Sequence, residues 1–584
     1  MTDQTLGQPP GGSATPAAAF APRALGLRLP QIGMKPALVS AVAATLALIV
    51  YCHRHEGWWP HFIFAIAVTM LIGGFTLLAT RRLFFSTMLA TALTTLIVAI
   101  ASAKHQAMDM VLHAYDLIFY LGSWSTISYL WSDHRIYIYK IVFALGAAVT
   151  VSWLAWRMDQ TRVPRIASGV FCLLLGCLAI IGSETKGERR HTQFYWSDLF
   201  LNSFYASWSE TIETLWRGTL LEAAPRQPLP TFRIPDTCST LSKPPHVILV
   251  HEESIVPPSL FPTLGYDRKV DPFFNSFDGR MHKMRVETYG GASWLTEFSI
   301  LAGVSTQSFG GMRQFVQSLM AGKVRDTLPE TFARCGYRNV VFYPMMRNFV
   351  SNAKFFTAVG MPEILDMKDQ GAPTSNERDR FYFDNALKLM QGHFAGSRQP
   401  LFTFIETMSA HSPYSYKFQP DLDVPGGAPG TDPDMHEYLR RLSMSKMDLD
   451  YFRAELAKRF PKERFLLVHY GDHHPIATRS LLGQSTDLDA EDVQMAPDSI
   501  GYTTYFAIEG INYKPPSMPP VEILDVPYLG SVILRAAGLP LSDSMHERER
   551  LMLVCGGAYH GCRNQDLILG FHRRLIDSGI IDAR

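Results

Sequence analysis

The hydrophobic and polar positions divide this 584-residue chain into two unlike parts. In the first third, charged residues are rare, and apolar residues form runs of roughly 20, the length that an α-helix needs to cross a bilayer. Five such runs lie at residues 36–53, 61–80, 84–102, 137–156 and 166–183. The pattern predicts a transmembrane bundle of about five helices at 31–184.

Lys and Arg are distributed unevenly over the loops between these runs. With the N-terminus inside, eight of them lie in cytoplasmic segments and three, Arg54, Lys104 and Arg135, in outer loops. Because positively charged loops stay in the cytoplasm, five crossings place residues 185–584 on the outer side of the membrane. The tail at 1–30 is rich in Gly, Pro, Ala and Ser, which predicts a disordered cytoplasmic segment rather than a signal peptide.

Two further stretches predict contact with the membrane surface. The stretch 107–131 is apolar but carries Asp109, His113 and Asp116, so it indicates an interfacial or re-entrant segment rather than a sixth crossing. The stretch 194–217 is rich in Phe, Tyr and Trp and predicts a helix with its aromatic rings at headgroup depth. Packing of that helix against the soluble part is the alternative. A Pro-rich linker at 223–245 completes an intermediate region at 185–245.

From residue 246 to the end of the chain, short apolar runs alternate with helical patterns. This alternation predicts an extracytoplasmic α/β domain with a mainly parallel sheet. Strands are predicted at 247–250, 339–343, 401–406, 465–470 and 502–508, and helices at 296–303, 325–335, 376–391, 434–458 and 526–537.

The net charge gives no support for a nucleic-acid partner, and the cysteines suggest one disulfide. The formal net charge is +1, which gives no basis for a nucleic-acid partner. Outside the cytoplasm cysteines tend to pair, and Cys555 and Cys562 close a short loop. A zinc site formed by these two cysteines and His560 is the weaker alternative. Cys335, at the end of a helical pattern, is predicted to be a buried free thiol.

Candidate chemistry lies where two of the predicted strands end. The run 466–470 ends in Gly471 and is followed by Asp472 and His473, while the first strand leads into a carboxylate, Glu252 or Glu253. Because ligands sit at the carboxyl ends of parallel strands, these three side chains are expected to converge. Carboxylate and imidazole ligands suit a divalent cation such as Zn²⁺ or Mn²⁺.

A hydroxyl and an imidazole complete the candidate site. Ser293 follows two glycines and precedes an apolar helical pattern, so its hydroxyl is expected at a helix N-terminus, where anions bind. A metal-bound hydroxyl is a suitable nucleophile for phosphoryl transfer, although an ordinary N-cap serine is the simpler interpretation. His411 follows the strand at 401–406 and can hold a phosphate oxygen or move a proton.

In order and spacing, these motifs resemble the membrane-anchored branch of the alkaline phosphatase/sulfatase superfamily. That branch includes lipoteichoic acid synthases, phosphoglycerol transferases of periplasmic glucans and lipid A phosphoethanolamine transferases. The resemblance implies an alkaline phosphatase-like catalytic domain behind about five transmembrane helices. It also implies one metal ion held by Glu253 (rather than Glu252), Ser293, Asp472 and His473, with Ser293 as the nucleophile and His411 beside the phosphate.

Two departures from the branch concern the nucleophile and the donor. Most relatives place Thr where this chain has Ser293, so Thr296 is the alternative nucleophile. The Trp and Arg of lipoteichoic acid synthases correspond to Val350 and Asn352 here, with Arg347 nearby. Arg347, Asn352 and His474 are therefore the candidates for substrate binding.

The resemblance implies an enzyme that transfers a phospholipid headgroup. Ser293 is not followed by the Pro and Arg of the motif that yields formylglycine, which argues against sulfate-ester hydrolysis. We expect a phosphotransferase of the cytoplasmic membrane that moves phosphoglycerol or phosphoethanolamine from a phospholipid donor to an envelope glycan or lipid. A phosphodiesterase or sulfuric ester hydrolase of the same fold is one alternative, and an inactive envelope-assembly or binding domain is the other.

Overall fold

The computed structural model of the protein describes most of the chain. The described residues are 29–56, 59–108, 111–120, 131, 135–185, 199–226, 230–238, 243–347, 349, 352–424, 431–482 and 498–583. The predicted disordered tail lies outside them except for its last two positions. Asp109, residues 121–130 and residues 186–198 of the intermediate stretches, and Val350, also lie outside.

Five apolar helices form the N-terminal part, as the sequence predicts. They are α1 (Met34–His55), α2 (Trp59–Thr80), α3 (Leu83–Met108), α4 (Arg135–Met158) and α5 (Arg165–Thr185). Each contains a stretch long and apolar enough to cross a membrane, with mean hydropathies from 1.7 to 2.4. Side chains such as Phe143 and Ile166 are exposed on these helices, which is the arrangement expected of a surface that faces lipid.

An amphipathic helix, α6 (Phe200–Arg217), lies between the bundle and the α/β domain. The carboxylate of the buried Glu56 accepts hydrogen bonds from the backbone of Leu201 and Asn202, and so satisfies amides in the first turn of α6. Leu201, Phe204 and Tyr205 are buried against α2 and α3, whereas Trp208, Ile212 and Trp216 are exposed along one face. The aromatic helix therefore packs on the bundle and still presents apolar side chains outward.

The α/β domain that follows is built on one eight-stranded sheet, with strand order β4-β3-β5-β1-β6-β7-β2-β8 among the described residues. The strands are β1 (His246–Glu252), β2 (His282–Arg285), β3 (Arg338–Phe342), β4 (Glu363–Leu365), β5 (Leu401–Glu406), β6 (Phe465–Gly471), β7 (Thr503–Ile511) and β8 (Ile523–Asp525). Among these described strands, β7 alone is antiparallel to its neighbours β6 and β2. The predicted mainly parallel sheet is confirmed.

Helices cover both faces of this sheet. They are α7 (Ser293–Ala302), α8 (Val316–Met320), α9 (Leu328–Arg334), α10 (Asn352–Ala358), α11 (Asp379–Gly396), α12 (Pro433–Arg459), α13 (Leu529–Ala536), α14 (Asp543–Val554) and α15 (Gln565–Asp577). Alternate residues of β1 enter the two cores: Val247 and Leu249 face one, and Ile248 and Val250 face the other. A continuous apolar run therefore fits β1, because both of its faces are buried.

The Pro-rich linker is attached to the end of the chain. The backbone of Phe232 donates a hydrogen bond to Ser578 Oγ, and its ring packs on Phe571 and under the guanidinium of Arg574. Further back, the Ala224 amide donates to the carbonyl of Leu569 in α15. The C-terminal helix thus fixes the segment that joins the α/β domain to the membrane helices.

Two disulfides cross-link the α/β domain. The predicted Cys555–Cys562 pair is confirmed, which removes the alternative zinc site with His560. The prediction of a free thiol at Cys335 is wrong, because Cys335 is bonded to Cys238 across 97 residues of sequence. A partner that far away leaves no signature in the local sequence around Cys335.

The two disulfides are expected to differ in their effect on stability. Cross-links that close longer loops remove more entropy from the unfolded chain, so Cys335→Ser should cost about 2 kcal/mol more than Cys555→Ser. Thermal unfolding of the full chain in detergent, with peptide mapping under non-reducing conditions, measures the difference. Equal decreases for the two variants would contradict the loop-closure argument.

Candidate metal centre and nucleophile

The candidate site lies at the carboxyl edge of the sheet, where β1 and β6 are adjacent. The two strands pair in parallel, with His251 opposite Tyr470 and Glu252 opposite Gly471. Glu253 and Asp472, which directly follow β1 and β6, therefore lie side by side at this edge of the sheet. A side chain at position 471 would collide with the carbonyl oxygen of Ile255, which explains the glycine at this point.

Ser293 is the first residue of α7 and lies in hydrogen-bond contact with two of the predicted ligands. Its Oγ donates to Glu253 Oε2 at 2.8 Å and lies 3.3 Å from His473 Nε2. The preceding Ala292 has a φ of 65° and Gly290 a φ of 72°, a tight left-handed turn that directs the start of the helix toward β1. The hydroxyl therefore faces the metal-ligating groups and also the positive end of the helix dipole.

The histidine that follows Asp472 is oriented as a metal ligand would be. His473 Nδ1 lies 3.0 Å from the carbonyl of His474, which can only accept a hydrogen bond, so the proton resides on Nδ1. The lone pair of Nε2 then points toward Asp472 Oδ2 at 3.2 Å and Glu253 Oε1 at 3.5 Å. Metal-bound imidazoles commonly donate their other N–H in this way.

His251 joins this group, although the sequence prediction did not include it. Its Nε2 lies 3.1 Å from Asp472 Oδ2, and its Nδ1 lies 2.7 Å from the hydroxyl of Tyr470. Within the described residues, both Nε2 and Oδ2 are buried without a well-aligned hydrogen bond. His251, Glu253 and Asp472 offer ligand atoms that all lie within 4.8 Å of one another. The strand alternation could have revealed His251, because it lies two residues before Glu253 and shares its face.

These residues fit a divalent cation. The separations of 3.1–3.5 Å among the imidazole and carboxylate atoms are close to the roughly 3.3–3.6 Å that tetrahedral ligands about 2.0–2.2 Å from Zn²⁺ would show. Glu253 is held for this role, since Ser254 Oγ donates to its Oε1 at 2.7 Å. The Ser254 amide donates to Asp472 Oδ1, which leaves Oδ2 directed at the two histidines. A buried His/Glu/Asp cluster that can hold a metal ion is therefore present.

Two more buried carboxylates lie near the ligands. Desolvation by burial raises the pKa of Glu297 to about 7. Burial, together with Glu297, Glu253 and Asp472, raises the pKa of Glu406 well above its usual value. So much negative charge in one buried region is costly unless a cation offsets it.

The remaining predicted residues have other surroundings. Thr296, the alternative nucleophile, is fully buried and donates to the carbonyl of Asp472 at 2.8 Å. His474 is also fully buried, and its ring nitrogens lie against Thr503 O at 2.7 Å and Thr478 Oγ1 at 3.3 Å. Desolvation by burial lowers its pKa to about 4. Both side chains therefore have partners within the protein that account for their positions.

The residues proposed for the substrate pocket lie on the other side of β5. Arg347 is half-exposed and pairs with Asp366 at 3.0 Å and with Asp369. Asn352 is buried and donates to the hydroxyl of Tyr343 at 2.7 Å. His411 is half-buried in the loop that follows β5, next along the sheet from β1. Glu252 faces away from the ligands, toward Thr407 Oγ1 at 3.1 Å.

Comparison with known proteins identifies the domain that carries these residues. Residues 245–495 match the family model described as Sulfatase. This part of the chain is a Sulfatase-family domain. The predicted membership of the alkaline phosphatase/sulfatase superfamily is thereby confirmed for this domain.

The individual proteins that the chain resembles have low sequence identity to it. An uncharacterized protein of Haemophilus influenzae is 24% identical over 325 residues, which are 54% of this chain and 54% of that protein. The chain thus matches about half the length of this curated relative. Solved structures similar to the Sulfatase-family domain or to the whole chain have identities of 11–17%.

The three structures described next all have TM-scores below 0.5. Phosphoethanolamine transferase A of Neisseria meningitidis has a TM-score of 0.49 and covers 89% of this chain and 98% of its own. The phosphoglycerol transferase GacH of Streptococcus pyogenes has 0.46, with 60% and 89% covered. The lipoteichoic acid synthase LtaP of Listeria monocytogenes has 0.37, with 52% and 76% covered.

The geometry predicts a measurable role for His251 in metal binding. His251→Ala should lower the affinity for Zn²⁺ or Mn²⁺ by at least about 10-fold, and Tyr470→Phe should lower it less, because it removes only the hydrogen bond that orients the ring. Competition with a chelator, followed by metal analysis of the protein, measures both effects.

His469→Ala is the matched control for that experiment. His469 is a fully buried histidine of the neighbouring strand β6, but it faces the opposite side of the sheet, where it contacts Tyr505. Its replacement should leave the metal affinity unchanged. An equal loss of affinity in His469→Ala and His251→Ala would indicate a general loss of structure and would remove His251 from the ligand set.

Proposed function

We propose that this protein is a metal-dependent phosphotransferase that moves a phospholipid headgroup, phosphoglycerol or phosphoethanolamine, to an envelope glycan or lipid. The observation that carries the proposal is the position of Ser293, at the N-terminus of α7 and in contact with Glu253 and His473. A hydroxyl among carboxylate and imidazole ligands, next to a helix N-terminus, suits attack on a phosphate diester.

The metal ligands are assigned to His251, Glu253, Asp472 and His473, together with the hydroxyl of Ser293. A divalent cation such as Zn²⁺ or Mn²⁺ held there would lower the pKa of that hydroxyl and offset the charge of the phosphate. The cluster of His, Glu and Asp supports this assignment.

The proposed reaction has two steps at phosphorus. In the first, Ser293 Oγ loses its proton and bonds to phosphorus, the bond to the diacylglycerol oxygen breaks, and that oxygen takes up a proton as diacylglycerol leaves. In the second, a hydroxyl of the acceptor attacks the phosphoserine ester and loses its proton, the bond from phosphorus to Ser293 Oγ breaks, and Oγ takes up a proton. Before the first attack, Glu253 Oε2 accepts the hydrogen bond that holds the serine hydroxyl in place. His411 binds the phosphate or transfers the proton.

The surroundings support a reaction at the outer face of the cytoplasmic membrane. Five helices are long and apolar enough to anchor the domain in a bilayer, which raises the effective concentration of a lipid donor. Two disulfides in the α/β domain favour an oxidising compartment outside the cytoplasm.

The proposed role of His411 depends on the loop that carries it. Arg441 of α12 is fully buried, and its guanidinium donates to the carbonyls of His411 at 2.6 Å, Pro413 at 3.0 Å and Tyr416 at 3.1 Å. The carboxylate of Glu437 pairs with this guanidinium at 2.8 Å. Since one rigid planar group holds three carbonyls, Arg441 is assigned as a positioning residue for the His411 loop.

The nucleophile assignment has a direct test. With fluorescent phosphatidylglycerol or phosphatidylethanolamine in vesicles, Ser293→Ala should reduce diacylglycerol release by about 10³-fold or more, because it removes the hydroxyl that forms the covalent bond. Intact-mass analysis should detect a phosphoglycerol or phosphoethanolamine adduct on the wild-type protein and identify the donor.

Thr296→Val is the control for this test. It removes a neighbouring hydroxyl with little change in shape, and the adduct should still form. If the adduct were lost in Thr296→Val and kept in Ser293→Ala, Thr296 would be the nucleophile. Unchanged lipid turnover in Ser293→Ala would overturn the proposed mechanism.

The positioning role of Arg441 predicts a loss that depends on His411. Arg441→Lys keeps the charge but cannot reach three carbonyls, so kcat/KM should fall by about 10- to 100-fold, and the same substitution in a His411→Ala background should add little. Arg440→Lys is the matched control, because Arg440 also pairs with Glu437 but donates to the carbonyl of Phe418. Full additivity of the His411 and Arg441 substitutions would contradict a shared role.

A further inference from the structure

An apolar cleft lies beneath α6, on the membrane side of the protein. Its volume is about 430 Å³, within the range of small-molecule sites. Val68 and Ile72 of α2 and Leu93 and Ile97 of α3 form its walls, and Phe204, Tyr205 and Trp208 of α6 close it from above.

The surface that the cleft presents to a ligand is almost entirely apolar. Its single hydroxyl belongs to Tyr205 and is already engaged by Thr69 Oγ1 at 3.0 Å. The other six side chains are hydrocarbon or indole surface, and Trp208 and Leu93 are partly exposed at the opening, 39% and 37% respectively. Such a lining excludes a charged or hydrogen-bonding ligand and fits a hydrocarbon chain.

The depth of the cleft matches the acyl region of a bilayer. Val68 and Ile72 lie about 14–20 Å along α2 from Trp59, the end that is near α6, at 1.5 Å per residue. A hydrocarbon core is about 30 Å thick, so the cleft extends from the outer interface toward the bilayer centre. The start of α6 lies at the outer end of α2, where Asn202 Nδ2 donates to the carbonyl of His61, and Phe204, Tyr205 and Trp208 follow α2 down to the cleft.

Direct contacts connect the roof of the cleft to the nucleophile. Ser207 of α6 accepts a hydrogen bond from the Ala114 amide, and the adjoining Tyr115 ring packs on Phe315 at 5.1 Å. The neighbouring carbonyl of Gln314 accepts a hydrogen bond from the indole of Trp294, the residue after Ser293. The cleft and the nucleophile therefore belong to one continuous set of packed elements.

We propose that the apolar cleft beneath α6 holds an acyl chain of the phospholipid donor; this inference rests on the proposed headgroup transfer. Lipid tails in the bilayer are as apolar as the cleft, so the gain is packing and position rather than removal from water. A chain held at this depth places its glycerol and phosphate near the outer end of α2 and the start of α6, on the side of the bundle where the Sulfatase-family domain lies.

Filling the cleft tests the proposal in activity. In Leu93→Trp, the ratio of kcat/KM for a dioleoyl donor to that for a water-soluble dihexanoyl donor should fall by about 3- to 10-fold, because only packing and position are lost. Leu173→Trp on α5 is the matched control, since Leu173 is exposed on the bundle and does not line the cleft. Its ratio should not change. An unchanged ratio in Leu93→Trp would overturn the proposal.

Photolabelling tests the same cleft without turnover. The full-length Ser293→Ala protein, in nanodiscs containing phosphatidylglycerol with a diazirine in its acyl chain, should be labelled on α2 and α3 several-fold more than on α4. Leu93→Trp should abolish the excess, and Leu173→Trp should retain it. Equal labelling of all these helices would identify the cleft as ordinary lipid-facing surface and sink the inference. Absence of lipid turnover in the wild-type protein with the excess retained would instead refute the proposed transferase while supporting the lipid site.

Discussion

The convergence of buried negative charge at the ends of β1 and β6 is the constraint on which the site depends. Parallel pairing of these strands fixes Glu253 beside Asp472, and neither carboxylate can move to water because both are buried. Two unit charges 4 Å apart interact by about 4 kcal/mol at an effective dielectric of 20. Burial in the same region raises the pKa of Glu297 and of Glu406, so further negative charge is disfavoured there without a cation, and the folded arrangement favours binding of one.

The same constraint explains the surrounding hydrogen bonds. Asp472 Oδ1 is occupied by the amides of Ser254 and His473, at 2.7 and 2.8 Å, which leaves Oδ2 for the centre of the site. His251 and His473 are each held through Nδ1, by Tyr470 and by the His474 carbonyl, so that each Nε2 faces that centre. The protein thus fixes the orientation of each ligand from outside the ligand set, as preorganised metal sites do.

The sequence predicts the parts of this structure that are encoded in continuous runs. The five membrane helices and the strands β1, β3, β5, β6 and β7 are long or strongly apolar, and each lies close to its predicted position. By contrast, β4 and β8 have three residues each and pair with β3 and β2 respectively. Segments this short show no hydrophobic pattern from which a strand could be predicted. The Cys238–Cys335 bond depends on the packed fold in the same way.

The residues of the candidate site also fall into two groups: those that the local sequence indicates and those that only the fold brings together. Glu253, Ser293, Asp472 and His473 follow a strand or begin a helix, so their positions can be inferred from the pattern around them. His251 is different, because it lies within β1 rather than after it; strand alternation places it on the face of Glu253, but its contact with Asp472 Oδ2 is seen only in the fold. Arg441 lies 30 residues from His411 in the sequence, and its hold on that loop arises from the packing of α12 against the domain.

The α/β domain is held against the apolar helices by packing contacts. A lipid phosphate is confined to the bilayer interface, so a soluble domain must be held there to reach it. Here the linker from the membrane helices is fixed next to α15 of the domain. Tyr115, between α3 and α4, packs on Phe315, and the adjacent Gln314 carbonyl accepts a hydrogen bond from Trp294. Because α6 packs on the bundle and touches the same segment, the position of Ser293 relative to the apolar helices is set by packing rather than by a free tether. That rigidity favours a substrate that is itself fixed in depth, which a phospholipid headgroup is and a freely diffusing phosphate ester is not.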